Sequence, residues 1–374
     1  MTRSVYIRPI AVAASPQCEE GEAIRLAGGM VYASRFAVIV REAAEDGGAV
    51  VSRARCSVAE LPQALGALPD DLAAEGEAQW TNLTLAHPPL ELGARTIRMD
   101  QPQVVGILNV TPDSFSDGGA FMDDPAAMRE QAAAMAEGGA AVIDIGGEST
   151  RPSAKEVWEG DEIARVVPAV EAVSAMGAAI SVDTRKVGVM EAALQAGAHI
   201  VNDISALRHD PRALQFVAER GVPVILMHAP GDGPYPHEGG DYCNVVFDVF
   251  DGLKQRRDAA LAAGIEARNI LLDPGIGFGK SLAENLALLN ALPLFHALGH
   301  PLMLGASRKR MIGALSNEAP AHARLGGSIA LAVKGMEAGF QLLRVHDVAE
   351  TVQARNVWRG LRDAALTDFG ELPG

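Results

Sequence analysis

Eight short apolar runs, each ending in a polar residue and followed by glycine, serine or threonine, constrain the fold of this chain more than any other feature. In the clearest of them, two leucines lead to Asp273, and Pro-Gly-Ile-Gly-Phe-Gly-Lys follows up to residue 280. The other seven runs cover residues 104–109, 141–145, 179–183, 199–203, 222–228, 302–307 and 341–346. Helical patterns lie between the runs, which predicts βαβ units with parallel strands. Eight such units with polar residues at the strand C-termini predict an α/β fold of the TIM (β/α)8 barrel type, with the active site at that end.

A doubly wound parallel sheet is the alternative architecture for the same alternation. Such a sheet concentrates its ligand-binding groups at one switch point, whereas here all eight runs end in candidate groups. The barrel pattern occupies residues 89–374, and 90–99 predicts a small β-ribbon before the first barrel strand. Residues 1–88 do not share the pattern and predict a small α+β N-terminal extension of unknown role, in which 36–41 and 49–52 form a hairpin and 59–68 a short helix.

Composition excludes several classes of function. The chain of 374 residues suits a barrel of about 250 residues with an extension, and its 48% of hydrophobic residues provides for a large core. With 32 Lys and Arg against 47 Asp and Glu, the net charge of −15 argues against nucleic acid or an acidic membrane as a partner, but a local basic cluster can still bind a small anion. The 3 cysteines show no metal-binding or disulfide spacing, and neither a signal peptide nor a membrane-spanning segment is evident. We therefore expect a cytoplasmic protein.

Two carboxylates and one amide stand at the ends of three predicted strands. Asp183, Asn202 and Asp273 end the third, fourth and sixth runs, so the barrel brings them to one face. They could bind a divalent metal, or they could bind a heterocycle that presents an amino group beside a ring N–H. A metal site would prefer more clustered hard ligands or histidines, which favours the heterocycle. The remaining alternative is that each residue caps the helix that follows it.

Basic residues follow the seventh and eighth strands. Lys309 lies in Ser-Arg-Lys-Arg at 307–310, directly after a strand, where it predicts an anion or carbonyl site rather than a solvated turn. Arg344 and His346 are two residues apart on a strand and share a face. With Arg151 they could clamp a diphosphate, the alternative being a strand-end ion pair with Asp347.

Two glycine-rich segments, one after Asn109 and one at 277–281, follow predicted barrel strands. Asn109 begins a loop rich in Asp, Ser and Gly that could close over a substrate, and Phe115 within it suggests an apolar contact on closure. Gly-Phe-Gly-Lys-Ser at 277–281 looks like the end of a P-loop, but Pro274 stands where the first glycine of that motif is required. The nucleotide-binding interpretation therefore fails.

Seven segments, in the same order along the chain, closely resemble the motifs of the dihydropteroate synthase family. They are Gly-Ile-Leu-Asn-Val-Thr-Pro-Asp-Ser-Phe-Ser-Asp-Gly-Gly (106–119), Asp-Ile-Gly-Gly-Glu-Ser-Thr-Arg-Pro (144–152), Ser-Val-Asp-Thr (181–184), Val-Asn-Asp-Ile (201–204), Leu-Asp-Pro-Gly (272–275), Ser-Arg-Lys (307–309) and Arg-Val-His-Asp (344–347). The resemblance covers about residues 90–365. It implies a TIM barrel and a transferase that joins 6-hydroxymethyl-7,8-dihydropterin diphosphate to 4-aminobenzoate in folate synthesis, releasing diphosphate. It also implies Mg²⁺ as cofactor and a homodimer.

The resemblance also implies a role for individual residues. The residues that bind the pterin are then Asp183, Asn202, Asp273, Lys309 and Arg344. The diphosphate contacts Arg151, Arg344 and His346, and Asn109 is linked to Mg²⁺. The aminobenzoate pocket is lined by Thr150, Pro152, Phe115 and Ser307. The implied catalytic residues are Asn109, Arg151, Lys309, Arg344 and His346.

Departures from the family pattern are modest. Ser153 stands where glycine is common, Ala306 where a larger apolar residue is frequent, and the loop that begins at His228 is unusual. Folate-dependent methyltransferases that use a similar barrel are expected to lack the Ser-Thr-Arg-Pro and Ser-Arg-Lys loops. A pterin-binding paralogue without activity would have lost Asn109, Arg151 or Lys309. Because all of these are present, the sequence favours a synthase.

Overall fold

The computed structural model describes residues 3–13, 22–42, 49–111, 125–149, 156–231 and 236–366, and within them a parallel barrel stands beside a smaller antiparallel sheet. The predicted TIM barrel with a small α+β extension is confirmed. Among the helices of these ranges, none has both the length and the apolar character needed to cross a bilayer.

The extension is an antiparallel sheet covered by helices. Its elements are β1 (Arg3–Ala13), β2 (Ile24–Arg25), β3 (Tyr32–Glu42), β4 (Ala49–Ser57), α1 (Leu61–Gly66) and α2 (Asp70–Thr84). β3 pairs antiparallel with each of the other strands. The predicted hairpin is confirmed by β3 and β4 and the predicted helix by α1, whereas β1 and α2 are additional to the prediction. Pro9 obscures β1 in the sequence, and the structure accommodates it beside a register shift.

A short ribbon closes the lower end of the barrel. It consists of β5 (Leu90–Leu92) and β6 (Arg95–Ile97), as predicted for 90–99. The alternation places Leu90, Leu92 and Ile97 on the buried face, where they pack with Met99 on the first inward-facing side chains of the barrel strands. Within the described part of the chain, this ribbon therefore closes the lower end of the barrel to ligands.

The barrel strands are parallel and close into a ring. They are β7 (Gln103–Asn109), β8 (Val142–Gly146), β9 (Ile180–Asp183), β10 (Ile200–Asp203), β11 (Val224–Met227), β12 (Ile270–Asp273), β13 (Met303–Leu304) and β14 (Leu342–Val345). Hydrogen bonds join them in the order β12-β11-β10-β9-β8-β7-β14-β13. A parallel bridge between Leu272 and Leu302 joins the two end strands. β13 is shorter than the predicted strand because Leu302 forms only this bridge.

Helices surround the ring and return the chain to the lower end. They are α3 (Pro125–Glu137), α4 (Glu159–Ser174), α5 (Val187–Ala196), α6 (Ala213–Arg220), α7 (Val245–Ala262), α8 (Leu282–Leu289), α9 (Arg310–Ala314), α10 (Leu325–Glu337) and α11 (Val348–Ala365). Gly197 ends α5 with φ of 112°, a left-handed conformation that glycine adopts without strain. The sequence pattern predicts the helix after β12 over 283–292, but α8 ends at Leu289, and a 3-10 segment (Leu292–Leu298) with Pro293 in its first turn follows.

The extension and the barrel share one hydrophobic core. Buried side chains form a continuous cluster that includes Tyr6 and Phe36 of the extension with Phe247, Phe250 and Phe295 of the barrel. The predicted boundary at residue 88 stays a prediction. The shared core indicates that the extension is a fixed layer on α7 and on the 3-10 segment.

Candidate active site

The two-residue period of the strands stacks a polar layer of side chains on an apolar one inside the barrel. The apolar layer consists of Val105, Val142, Ala179, Ile200, Ile225, Leu271, Met303 and Leu342. Two residues further along each strand stand Ile107, Asp144, Ser181, Asn202, Met227, Asp273, Gly305 and Arg344. Each strand continues for two residues beyond its side chain in the apolar layer. This continuation brings the charged groups Asp144, Asp273 and Arg344 to the centre of the barrel.

Arg344 connects buried Asp144 of this polar layer with Asp183, which lies two residues beyond Ser181 on its strand and is partly buried. Its Nε donates to Asp144 Oδ2 at 2.6 Å, and a terminal nitrogen donates to Asp183 Oδ2 at 2.7 Å. Burial by itself would lower the pKa of Arg344, but the two carboxylates raise it above its ordinary value. The guanidinium is thus permanently charged and held in a fixed orientation.

Asp144 accepts hydrogen bonds from two further side chains. Asn202 Nδ2 lies 3.2 and 3.3 Å from its two carboxylate oxygens, and the Ser181 hydroxyl also donates to it. The side chain of Asp144 is completely buried. A buried carboxylate with three different donors fixes the relative positions of β8, β9, β10 and β14, which carry these residues.

Asp183 and Asp273 have raised pKa values for the same reason. Burial raises the pKa of Asp183 to about 7, which Arg344 opposes and Asp144 reinforces. Burial also raises the pKa of Asp273, although the backbone N–H of Gly275 donates to its Oδ1 at 2.7 Å and Lys309 favours its charged form. Both carboxyls therefore gain most from a ligand that supplies N–H donors.

Lys309 lies against an aromatic ring. Its Nζ is 4.2 Å from the centroid of Phe278, and burial lowers the pKa of the amine to about 8. Gly277 has φ of 85°, and a Cβ there would come within 2.9 Å of Lys309 Cδ, so glycine leaves the space in which the lysine lies. The amine is available as a donor beside Asp273.

Ser307 and His346 form a second pair at the strand ends. The Ser307 Oγ lies 3.0 Å from His346 Nδ1 and accepts the His346 backbone N–H at 3.2 Å. Asp347, the predicted alternative partner of Arg344 and His346, instead pairs with Arg308 at 2.5 Å. All three consecutive bases line the cavity: Arg308 is neutralised by Asp347, Arg310 begins α9 and is exposed, and Lys309 lies over the ring of Phe278.

These residues share a single cavity of about 940 Å³ at the upper end of the barrel. Its lining includes Asn109, Asp183, Ser307, Lys309, Arg344 and His346. Asn202 and Asp273, each 3% exposed, lie in the polar layer next to this lining. The sequence-predicted residues that the structure describes are therefore brought together.

Four predicted site residues lie outside the described residues. Phe115, Thr150, Arg151 and Pro152 belong to 112–124 and 150–155. Their predicted contacts with aminobenzoate and diphosphate stay predictions.

Sequence reasoning assigned no role to Asp144, although the structure places it at the centre of the network. The signal was a lone carboxylate within the apolar run Val-Ile-Asp-Ile. Lys280 and His237, which also line the cavity, were likewise without a role.

The residues fit a metal ion that arrives with an anionic ligand. Among the described residues, no group of three or more His, Cys, Asp or Glu side chains is arranged to hold a metal. Asn109 offers one neutral amide oxygen at the cavity wall. Mg²⁺ commonly keeps waters and takes its remaining ligands from phosphates, and a single protein oxygen is consistent with that mode.

Comparison with known proteins decides the family. A family model described as pterin binding enzyme matches residues 105–346. The dihydropteroate synthase of Escherichia coli (strain K12) is 45% identical over 281 residues, which are 75% of this chain and 94% of that protein. The chain belongs to the dihydropteroate synthase family. The predicted transferase class is confirmed with it.

Other members of the dihydropteroate synthase family extend this result. A probable bifunctional folylpolyglutamate synthase/dihydropteroate synthase of Haloferax volcanii is 47% identical over 71% of this chain, which is only 31% of that longer protein. A structure of the Xanthomonas albilineans dihydropteroate synthase with 4-aminobenzoic acid superimposes with a TM-score of 0.69 at 46% identity, over 74% of this chain and 99% of that one. Another, in complex with 7,8-dihydropteroate, has a TM-score of 0.66 at 45% identity with the same coverage.

Proposed function

We propose that this chain joins 6-hydroxymethyl-7,8-dihydropterin diphosphate to 4-aminobenzoate, forming 7,8-dihydropteroate and diphosphate. The observation that carries the proposal is the convergence of Asp183, Lys309 and Arg344 on one cavity, with Asp273 buried directly next to its lining. Membership of the dihydropteroate synthase family supports it, as do the ligands in the related structures.

The polar layer suits a pterin ring. A pterin presents an amino group beside a ring N–H, and one carboxylate can accept hydrogen bonds from both groups at once. It also presents a carbonyl oxygen, to which a lysine can donate. Asp273 and Lys309 interact electrostatically across the pocket and supply these two functions. Asn202 can donate and accept, and Asp183 supplies a further acceptor on the other side of Arg344.

The basic groups suit the leaving diphosphate. A bond from the dihydropterin CH₂ to oxygen breaks, the electron pair leaves with diphosphate, and the electron-rich ring delocalises the positive charge that remains. Arg344 and His346, with Arg151, stabilise the negative charge that develops on the leaving group. Mg²⁺ bound at Asn109 would add charge neutralisation at the same place.

The nucleophile needs little activation. An arylamine is neutral near pH 7, so its nitrogen can attack the CH₂ carbon directly and lose its proton afterwards. The contribution of the protein is then to hold the ring in place, with Ser307 near its carboxylate, and the family resemblance implies Phe115, Thr150 and Pro152 as further residues of this pocket.

A homodimer and a cytoplasmic location belong to the same proposal. α11 exposes Val357 and Leu361, 62% and 67% exposed, four residues apart on one helix face. An unpaired apolar face of this kind supports contact with a second copy. Light scattering measures the oligomeric state, and we expect a dimer for the parent chain and a monomer for Leu361→Glu. A parent chain that is monomeric at micromolar concentration contradicts the proposed homodimer.

The reaction is tested by measuring diphosphate release with and without 4-aminobenzoate. We expect release that requires both substrates, with pteroate formed in equal amount. Transfer of a methyl group to a corrinoid, or pterin binding without turnover, would each contradict the proposal.

Arg344→Ala tests the assignment of the diphosphate subsite. We expect the affinity for the pterin diphosphate to fall about 100-fold, because a charged donor is lost and Asp144 and Asp183 lose their charged partner. Calorimetry with the diphosphate and with 6-hydroxymethylpterin separates the two parts of the ligand. Arg268→Ala, at an exposed ion pair with Glu266, is the matched control, and equal effects of the two variants would refute the assignment.

A further inference from the structure

The segment Gly-Phe-Gly-Lys at 277–280 has no role in the reaction described above, yet it ends in a buried amine at the cavity wall. Lys280 Nζ donates to the carbonyl oxygens of Gly275 at 2.9 Å and of Phe278 at 3.0 Å. It also lies 3.2 Å from His228 Nδ1 and 3.4 Å from the His228 carbonyl oxygen. Burial lowers the pKa of Lys280 to about 7, and in its protonated form each of the three N–H groups has an acceptor on the loops that follow β11 and β12.

His228 is suited to accept from this amine. Burial lowers the pKa of its imidazole well below the ordinary value, and the positive charge of Lys280 lowers it further. The ring is therefore neutral at pH 7, and Nδ1 can accept a hydrogen bond from the ammonium when the ring proton is on Nε2. The backbones of the two loops also touch, because a Cβ at Gly275 would collide with the His228 carbonyl oxygen.

We propose that Lys280 is a positioning residue for the pterin subsite, which holds the loops after β11 and β12 together and thereby fixes the ring of Phe278 beneath the amine of Lys309. The proposal rests on the proposed function only in assigning Lys309 to the pterin. Lys280 acts through the backbone of Phe278, whose carbonyl it binds, while the ring of the same residue lies 4.2 Å from Lys309 Nζ.

The loop after β11 completes this arrangement. The imidazole of His237 stacks on Phe278 with ring centroids 4.8 Å apart and planes 8° from parallel. Phe278 also belongs to a small buried cluster with Ile204, Met227 and Ala229. The ring that supports Lys309 is thus held by both loops that Lys280 joins, and the loop that begins at His228 forms this wall of the cavity.

Removing the amine leaves this wall without its central donor. In Lys280→Met the side chain keeps a similar length, but the carbonyls of Gly275 and Phe278 lose their buried donor. We expect Phe278 to become mobile and Lys309 to lose its cation–π contact. Lys254→Met is the matched control, since Lys254 pairs with Glu75 on the outside of the barrel at 2.9 Å.

Calorimetry with 6-hydroxymethylpterin on the full chain tests the proposal. We expect Lys280→Met and Phe278→Leu each to weaken pterin binding about 10-fold, and the double variant to bind like the weaker single variant, because residues that act as one unit are not additive. Lys254→Met should bind pterin like the parent. Far-UV circular dichroism and thermal unfolding of each variant verify that the measurements are made on folded protein.

Three outcomes would overturn the proposal. Parent-like binding by Lys280→Met would show that the cross-link is dispensable, and losses that add in the double variant would show that Lys280 does not act through Phe278. If Lys280→Met does not fold, parent-like pterin binding by Phe278→Leu is sufficient to refute the positioning role. Calorimetry requires no turnover, so a parent chain that binds pterin but releases no diphosphate would count against the proposed function alone.

Discussion

Asp144 determines the orientation of Arg344, although it does not line the cavity. Its carboxylate is fully buried and accepts from Arg344, Asn202 and the hydroxyl of Ser181. Because these donors come from β9, β10 and β14, the carboxylate connects strands on both sides of its own. A single change at this position therefore affects the guanidinium and the amide together.

We predict that Asp144→Asn reduces the affinity for pterin and the turnover each by about 10- to 100-fold, since a buried charged hydrogen bond to Arg344 is lost. Unfolding free energy should fall by about 2 kcal/mol or more for the same reason. Calorimetry and urea unfolding measure the two effects. Glu191→Gln, at an exposed pair with Arg220, should change both quantities little. Retention of pterin affinity in Asp144→Asn would show that Arg344 keeps its orientation without it.

At the scale of elements, the extension supports the helix that follows a cavity loop. Arg41 of β3 donates to Asp248 in the first turn of α7 at 2.7 Å, and the other oxygen of Asp248 accepts the backbone N–H of Asn244 at 2.9 Å. Asn244 in turn caps α7 by accepting from the N–H of Val246. The segment 236–243, which contains His237 of the cavity wall, leads directly into this cap.

Tyr6 makes the second link between the extension and α7. Its hydroxyl donates to Asp251 at 2.7 Å, and its ring lies 4.4 Å from that of Phe247. We predict that Tyr6→Phe lowers the free energy of unfolding by about 1–3 kcal/mol. The reason is that the Asp251 carboxylate remains buried but no longer accepts a hydrogen bond from the Tyr6 hydroxyl. Tyr32→Phe, which removes the same atom elsewhere in the sheet, is the control.

Urea unfolding measures this effect when it is followed by circular dichroism and by the fluorescence of Trp80 in a background with Trp158→Phe and Trp358→Phe. Trp80 lies in α2 of the extension and contacts Phe36 edge to face, so it reports on the extension. With a shared core we expect both probes to give one transition that shifts together in Tyr6→Phe. An early transition of Trp80 alone would contradict the shared core.

At the scale of the whole molecule, burial of neutral histidines makes stability depend on pH. His296 is 1% exposed in the 3-10 segment against which the extension packs, and its Nε2 lies 2.9 Å from the carbonyl oxygen of Ala338. Burial lowers the pKa of His296 from 6.5 to about 4. Between these values the unfolded chain binds a proton that the folded chain does not, so this histidine costs stability as the pH falls.

We predict that His296→Gln destabilises the chain by about 1–2 kcal/mol at pH 7.5 through imperfect packing. As the pH falls from 6.5 to 4, the difference in unfolding free energy between the variant and the parent should shrink by up to about 1.4 kcal/mol per pH unit. The reason is that only the parent loses stability through protonation of His296. Chemical unfolding at several pH values measures the difference. The control is His322→Gln at an exposed position, and a difference for His296→Gln that is constant with pH would contradict the prediction.

The amino-acid sequence by itself determined the barrel and much of its site. Short apolar runs that alternate with helical patterns are buried on both faces in a parallel sheet covered by helices. The polar residue at the end of each run then necessarily faces the same opening as its counterparts on the other strands. For that reason Asp183, Asn202, Asp273, Lys309 and Arg344 could be predicted as neighbours.

Only the tertiary structure decided which groups bond to each other. From the sequence, Arg344 could pair with Asp144, Asp183 or Asp347, and Asp347 could pair with Arg308 or Arg344. Sequence spacing does not distinguish these pairings, whereas the structure pairs Arg344 with Asp144 and Asp183 and Arg308 with Asp347. Likewise, the docking of Tyr6 and Arg41 on α7 joins residues more than 200 positions apart. Pairings of this kind depend on side-chain distances within a packed interior, which are settled only when all the strands and helices are in place.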